Sequence, residues 1–233
     1  MKTIEYNIPA GNEILSCSVD YVDDAIPPSV ICLHGGGPSS KKSTEYLSPI
    51  FCDLGKSVIR FDFSGQGDSS GVLKVSSLKK RHAETKAVLD YFNVTTNLTV
   101  VGSSMGGYIA SILIRDYPID NLILFCPAAY SIDAWDIGFS NGFTEVIRTE
   151  NSYLNTDIVD ILKTYNGKSL FVIGSEDEII PEEVTELYLT SLTNTTKLEK
   201  YVIENCPHPI HRWGQKNPDI QEKIKSKIHD LLS

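Results

Sequence analysis

Six short apolar runs, SVICLHGG (29–36), SVIRFDF (57–63), LTVVGSS (98–104), NLILFCPA (121–128), SLFVIGS (169–175) and KLEKYVIEN (197–205), are spaced along the chain, mostly with helical stretches between them. Most of these runs are apolar on consecutive residues rather than on alternate ones, the pattern of strands covered on both faces. The intervening segments Thr44–Leu54, Ser77–Phe92 and Met105–Tyr117 read as helices, as do the segment opening at Pro181 and Ile220–Leu232. In Met105–Tyr117 the residues Met105, Tyr108, Ile109, Ile112 and Leu113 fall on one helical face. KTIEYNIP and EILSCSVDYV, flanking Gly11-Asn12, read as an opening hairpin. Two hairpin strands and six further strands predict an α/β fold: an eight-stranded, mostly parallel sheet with helices on both faces.

The 233 residues carry a formal charge of −9 and show no basic cluster, so nucleic acid is not an expected partner. No apolar run reaches membrane-spanning length, and MKTIEYNIPAGNEI lacks a signal-type apolar segment. The five cysteines (Cys17, Cys32, Cys52, Cys126, Cys206) show no metal-type spacing, and three of them sit inside apolar strand runs. These features predict a single cytoplasmic domain over residues 1–233, reduced, with no metal and no cofactor. No pattern specifies an oligomeric state. The exception to the β-α alternation is 131–167, an insertion of the length usual for a lid.

Three segments match G-x-S-x-G, centred on Ser69, Ser104 and Ser140. A nucleophilic serine in such a sheet needs a sharp strand-to-helix turn with small neighbours at the carboxyl end of a strand. Ser104 has that setting, with LTVV before it, an amphipathic helix after it, and Gly102, Gly106 and Gly107 around it. Ser69 lies in the loop SGQGDSSGVLK and Ser140 in the insertion, so both read as loop serines.

A serine hydroxyl needs a histidine to take its proton and a carboxylate to orient that histidine, in chain order Ser, Asp or Glu, His. Asp177 lies in GSEDEIIP at the end of one strand, and ENCPHPIHRW at the end of the next holds His208 and His211. His208, nearer the strand end, is the first candidate and His211 the second. His34 precedes Ser104 and instead has the placement to brace the glycine loop that follows it. That loop, Gly35-Gly36-Gly37, and the start of the helix after Ser104 supply backbone N–H groups; Gly36 and Met105 are the expected oxyanion donors.

At LHGGG, RFDFSGQGDSSG, VVGSSMGGYIA, GSEDEIIP and NCPH the chain resembles the α/β-hydrolase superfamily, over nearly its whole length. It looks closest to the branch of monoacylglycerol-lipase-like and cinnamoyl- or feruloyl-esterase-like proteins, also described as serine aminopeptidase-like. The resemblance implies Ser104 as nucleophile, Asp177 as acid and His208 as base, with 131–167 as a short cap. The chain departs from the family in Ser103, where many relatives have His, and in N-C-P-H, where G-x-G-H is usual. Trp135, Phe139 and Phe143 in the cap suit an apolar or aromatic acyl group, or alternatively fold the cap onto the core. The expected activity is hydrolysis of a small carboxylic ester through an acyl-enzyme. Peptidase or amidase, thioesterase and acyltransferase chemistry use the same triad, and a non-catalytic ligand-binding protein can share the fold.

Overall fold

A computed structural model describes residues 1–233. The strands are β1 (Lys2–Ala10), β2 (Glu13–Tyr21), β3 (Val30–Leu33), β4 (Val58–Phe61), β5 (Leu98–Ser103), β6 (Ile119–Phe125), β7 (Lys168–Glu176) and β8 (Lys197–Pro207). They form one sheet in the order β1-β2-β4-β3-β5-β6-β7-β8. β1 and β2 make the predicted hairpin, and β2 runs antiparallel to β4; every pairing from β4 to β8 is parallel. The helices are α1 (Ser48–Asp53), α2 (Leu78–Tyr91), α3 (Met105–Ile112), α4 (Phe143–Ile147), α5 (Ile158–Thr164), α6 (Glu182–Ser191), α7 (Ile210–Gln215) and α8 (Pro218–Leu232). None is long and apolar enough to cross a membrane.

The continuous apolar runs serve two cores. Ile31, Leu33, Leu122, Leu124 and Phe171 face a core shared with α2, α3, α5 and the insertion. Their neighbours Val30, Cys32, Ile123, Phe125, Leu170 and Val172 face the opposite core, with α1, α7 and α8. Successive strand residues point to opposite faces, so both faces need apolar side chains.

Helix limits differ from the sequence expectation in three places. The segment expected as one helix over 44–54 is a 3-10 helix, Lys41–Leu47, followed by the short α1. Pro49, which has no N–H to give, sits in the first turn of α1 and breaks the continuity. The helix after Ser104 tightens into a 3-10 turn at Leu113–Arg115. α7 lies outside the expected helices, because six residues behind two prolines carry too little periodicity to register. The insertion after β6 holds α4, α5 and two short 3-10 turns, and is tied to the segment before α2 by Phe139 N–H to Ser76 O and Ser140 N–H to Lys74 O.

Candidate active site

β5 ends at Ser103, and Ser104 turns the chain into α3 with φ 52° and ψ −117°. That backbone is sparsely populated for any residue with a Cβ and stores about 1–3 kcal/mol of strain. The turn is held on both sides: Ser104 N–H donates to Phe125 O, and Ser104 O accepts from Gly107 and Ala128 N–H. Two of the surrounding glycines are required by close approach rather than by dihedral angles. A Cβ at Gly106 would stand 2.3 Å from Leu33 O, and one at Gly102 would stand 2.5 Å from Gly106 O. The glycines therefore let α3 pack onto β3 and β5 with the serine at its first turn.

The carboxyl ends of β7 and β8 bring Asp177 and His208 to this point. His208 Nε2 lies 3.0 Å from Ser104 Oγ, and His208 Nδ1 lies 2.8 Å from Asp177 Oδ2. The other oxygen, Asp177 Oδ1, accepts from the N–H groups of Ile179 and Ile180 at 2.9 and 3.0 Å. Burial would raise the Asp177 pKa, but the hydrogen bonds it accepts, His208 first, outweigh that and hold it down at about 2. The carboxylate therefore stays ionised and fixes the ring that faces Ser104. Gly174 allows the two strand ends to meet, since a Cβ there would stand 2.1 Å from Cys206 O.

Cys126, which the sequence places only in an apolar strand run, lies beside Asp177 and His208. It follows β6 with φ 42°, and its Sγ, an Asp177 oxygen and a His208 nitrogen all lie within 4.8 Å of one another. Burial pushes the thiol pKa up, so it remains protonated and helps keep Asp177 acidic. The sign that it was more than packing was its position directly after a strand in the parallel sheet.

His211 is turned away from this relay. Its ring is buried against Phe125, its Nδ1 meets the Tyr46 hydroxyl at 3.0 Å, and its Nε2 has no partner. His34 braces the glycine loop as expected. Phe63 N–H donates to His34 Nε2, so that nitrogen is the acceptor and Nδ1 carries the proton donated to Gly35 O at 2.9 Å. Burial, and for His34 the nearby Arg81 charge, lowers these pKa values to about 3 for His34 and about 4 for His211.

A pH dependence follows. Both histidines are neutral in the folded chain but titrate near 6.5 once unfolded. Between those values the unfolded state binds more protons, so stability falls as pH drops from about 7 towards 4. Urea midpoints measured across this range should decline, and His211→Phe should flatten the decline. An unchanged slope in that variant would contradict the assignment.

The loop after β3 is held from below by a buried polar network. Arg81, fully buried on α2, donates from Nη1 to Gly35 O at 3.3 Å and from Nη2 to Gln66 Oε1. Gln66 Nε2 in turn donates to Gly37 O and Ser39 O. The guanidinium lies over the Phe63 ring at 4.6 Å and the Phe139 ring at 5.2 Å. The N–H of Gly36 has no acceptor within the protein, and the first N–H groups of α3, beginning at Met105, are free by helix geometry.

The aromatics of the insertion pack against the body of the protein. Phe143 is buried against Tyr130 and Phe139, and Trp135 packs beside His82 and Tyr108. None of the three lines the cavity of about 430 Å³ that opens on Ser104 and His208. Their apolar surface seats the insertion on α2 and α3, the packing role that stands beside acyl-group contact in the sequence analysis. Ser69 and Ser140 are loop serines: Ser69 Oγ donates to Asp62 O and accepts from Ser16 N–H, and Ser140 Oγ donates to Lys74 O.

The family model described as serine aminopeptidase, S33 (Hydrolase_4) matches residues 26–149, more than half of the chain. The chain belongs to this family. No curated protein matches it in sequence. Among solved structures, this α/β hydrolase resembles a predicted CIB-like hydrolase from Thermoplasma acidophilum (TM-score 0.73, 19% identity, 99% of this chain and 100% of that one). It also resembles Est1E from Butyrivibrio proteoclasticus, solved with ferulic acid bound (0.71, 20%, 96% and 99%). A third is the esterase EaEST from Exiguobacterium antarcticum (0.71, 18%, 97% and 100%). At these identities the likeness speaks for the fold, eight strands with helices on both faces.

Proposed function

We propose that this α/β hydrolase is a serine esterase acting on a small carboxylic ester through an acyl-enzyme. The observation that carries the reading is the continuous hydrogen-bonded line from Ser104 Oγ through His208 to Asp177 at the carboxyl ends of three strands. Ser104 attacks the ester carbonyl while His208 Nε2 takes its proton. The developing charge on the carbonyl oxygen is received by the N–H groups of Gly36 and Met105. His208 then gives its proton to the leaving alcohol and, in the second half, activates water against the acyl-enzyme. Asp177 keeps the imidazole in the tautomer with Nδ1–H and stabilises the imidazolium. The esterase EaEST among the structural neighbours supports an ester as the substrate. Five free cysteines, four of them buried, suit a reducing, cytoplasmic setting.

The acyl-enzyme can be tested by partitioning. Acetyl esters of different alcohols, hydrolysed in the presence of methanol, should give one common ratio of methyl acetate to acetate, because all pass through the same acetyl-Ser104. Ratios that vary with the leaving alcohol would rule the common intermediate out. Amide and thioester substrates with the same acetyl group, run in parallel, separate esterase from peptidase and thioesterase action.

A further inference from the structure

We propose that the ester this enzyme takes carries a negatively charged group, held by Lys42 and Arg212. The cavity that opens on Ser104 and His208 has Ile210 as its one large aliphatic side chain, and no acidic residue lines it. Lys42 and Arg212, the latter on α7, both line it, together with Ser39, Ser40, Ser43 and the glycine loop. Neither cation has a carboxylate partner anywhere in the structure. In a chain of formal charge −9, a cavity lined by two unpaired cations and no carboxylate is locally suited to an anion.

The two lining segments are also tied together. Gln215 Nε2 donates to Lys42 O at 3.4 Å and Ser43 O at 3.2 Å, and Tyr46 on the same segment meets His211 of α7. The segment carrying Lys42 and the helix carrying Arg212 are therefore held in register before any ligand arrives. A carboxylate or phosphate is the chemistry these groups recognise, Arg through its planar pair of N–H donors and Lys as a point charge. Exposed charge contacts are each worth a few-fold in affinity, so the pair should give roughly tenfold discrimination.

This specificity rests on the esterase reading for its kinetic consequence, but anion binding can be measured without catalysis. Ser104→Ala protein is titrated by NMR with benzoate, phenyl phosphate and neutral benzamide. At least one anion should bind roughly tenfold more tightly than benzamide, shifting resonances of 39–43 and α7, with the two anions separating carboxylate from phosphate recognition. Adding Lys42→Met and Arg212→Met should abolish the difference; both residues are exposed, so these changes leave the fold intact. Equal binding of benzamide and the anions, no binding of either anion, or a preference that survives in the double variant overturns the proposal. In turnover, nitrophenyl hemiglutarate against nitrophenyl valerate places the charge on the acyl side. 4-Acetoxybenzoate against its methyl ester places it on the alcohol side. One pair should favour the anion, after correction for intrinsic reactivity, and lose that preference in 0.5 M salt.

A separate observation assigns a second role: we infer that Arg81 and Gln66 are positioning residues for the oxyanion donor. Gly35 O and Gly36 N–H belong to one planar trans peptide and point in opposite directions. Arg81 and His34 both donate to Gly35 O, which turns the Gly36 N–H the other way. Gln66, itself held by Arg81, fixes the next turn of the loop through Gly37 O. Without these donors the peptide is free to flip and the hole loses a donor, a loss worth about 100- to 1,000-fold when complete. Arg81→Met should lower kcat for nitrophenyl acetate about 10- to 100-fold with KM within about twofold. Affinity for a boronic acid, whose tetrahedral adduct needs the hole, should fall in parallel, and Arg81→Lys should recover part of both. Gln66→Leu supplies a milder variant, with the same split at smaller amplitude, should Arg81→Met fail to fold. A folded variant with unchanged kcat and boronate affinity, or one altered only in KM, overturns the assignment.

Discussion

Ser104→Ala is expected to lower kcat/KM for a short-chain nitrophenyl ester by about 10⁴-fold or more, the loss typical of removing a triad nucleophile. The physical reason is that no other hydroxyl lies within hydrogen-bond reach of His208 Nε2, whose partner is Ser104 Oγ at 3.0 Å. Binding of substrate should survive, since the cavity and the N–H groups of Gly36 and Met105 are untouched. Stability gives an independent reading of the same turn. Alanine keeps the Cβ and hence the strain at φ 52°, whereas glycine relieves it. Ser104→Gly should therefore melt at a higher temperature than Ser104→Ala. Equal activity in wild type and Ser104→Ala would remove the serine mechanism altogether.

His208→Ala should be as damaging, again by about 10⁴-fold or more, because the proton of Ser104 then has nowhere to go. His211→Phe should keep kcat/KM within about tenfold of wild type. Phenylalanine preserves the ring against Phe125 and gives up only the Tyr46 hydrogen bond, a stability loss of about 1 kcal/mol. The two histidines stand three residues apart in the sequence yet differ in every physical respect. One is held between a carboxylate and a serine, and the other is a buried neutral ring with an unpartnered nitrogen. The reverse outcome, activity lost with His211 and kept without His208, would contradict the proposed relay.

The sheet was legible because strands covered on both faces need apolar residues at every position, and Val100, Val101, Leu122, Ile123, Leu124 and Phe125 carry that signature openly. The candidate site is legible from context rather than pattern. Three serines share the five-residue motif, and only Ser104 has a strand before it and a helix after it. Asp177 and His208 could be placed because each directly follows a strand. What stayed hidden depends on long-range packing. Arg81 reads as one more charged residue on a helix, and nothing local shows that its guanidinium lies under Gly35. The cap aromatics were ambiguous for the same reason, since an apolar ring serves a pocket or a core equally well until its neighbours are known. Lys42 and Arg212 lie 170 positions apart and meet only across the folded cavity.

The most direct test of the central claim is to treat the folded protein with a fluorophosphonate and locate the adduct by peptide mass spectrometry. A single phosphonyl group on the peptide containing Ser104, absent in His208→Ala, is the predicted result. Labelling at Ser69 or Ser140, or none on folded wild-type protein, would contradict it.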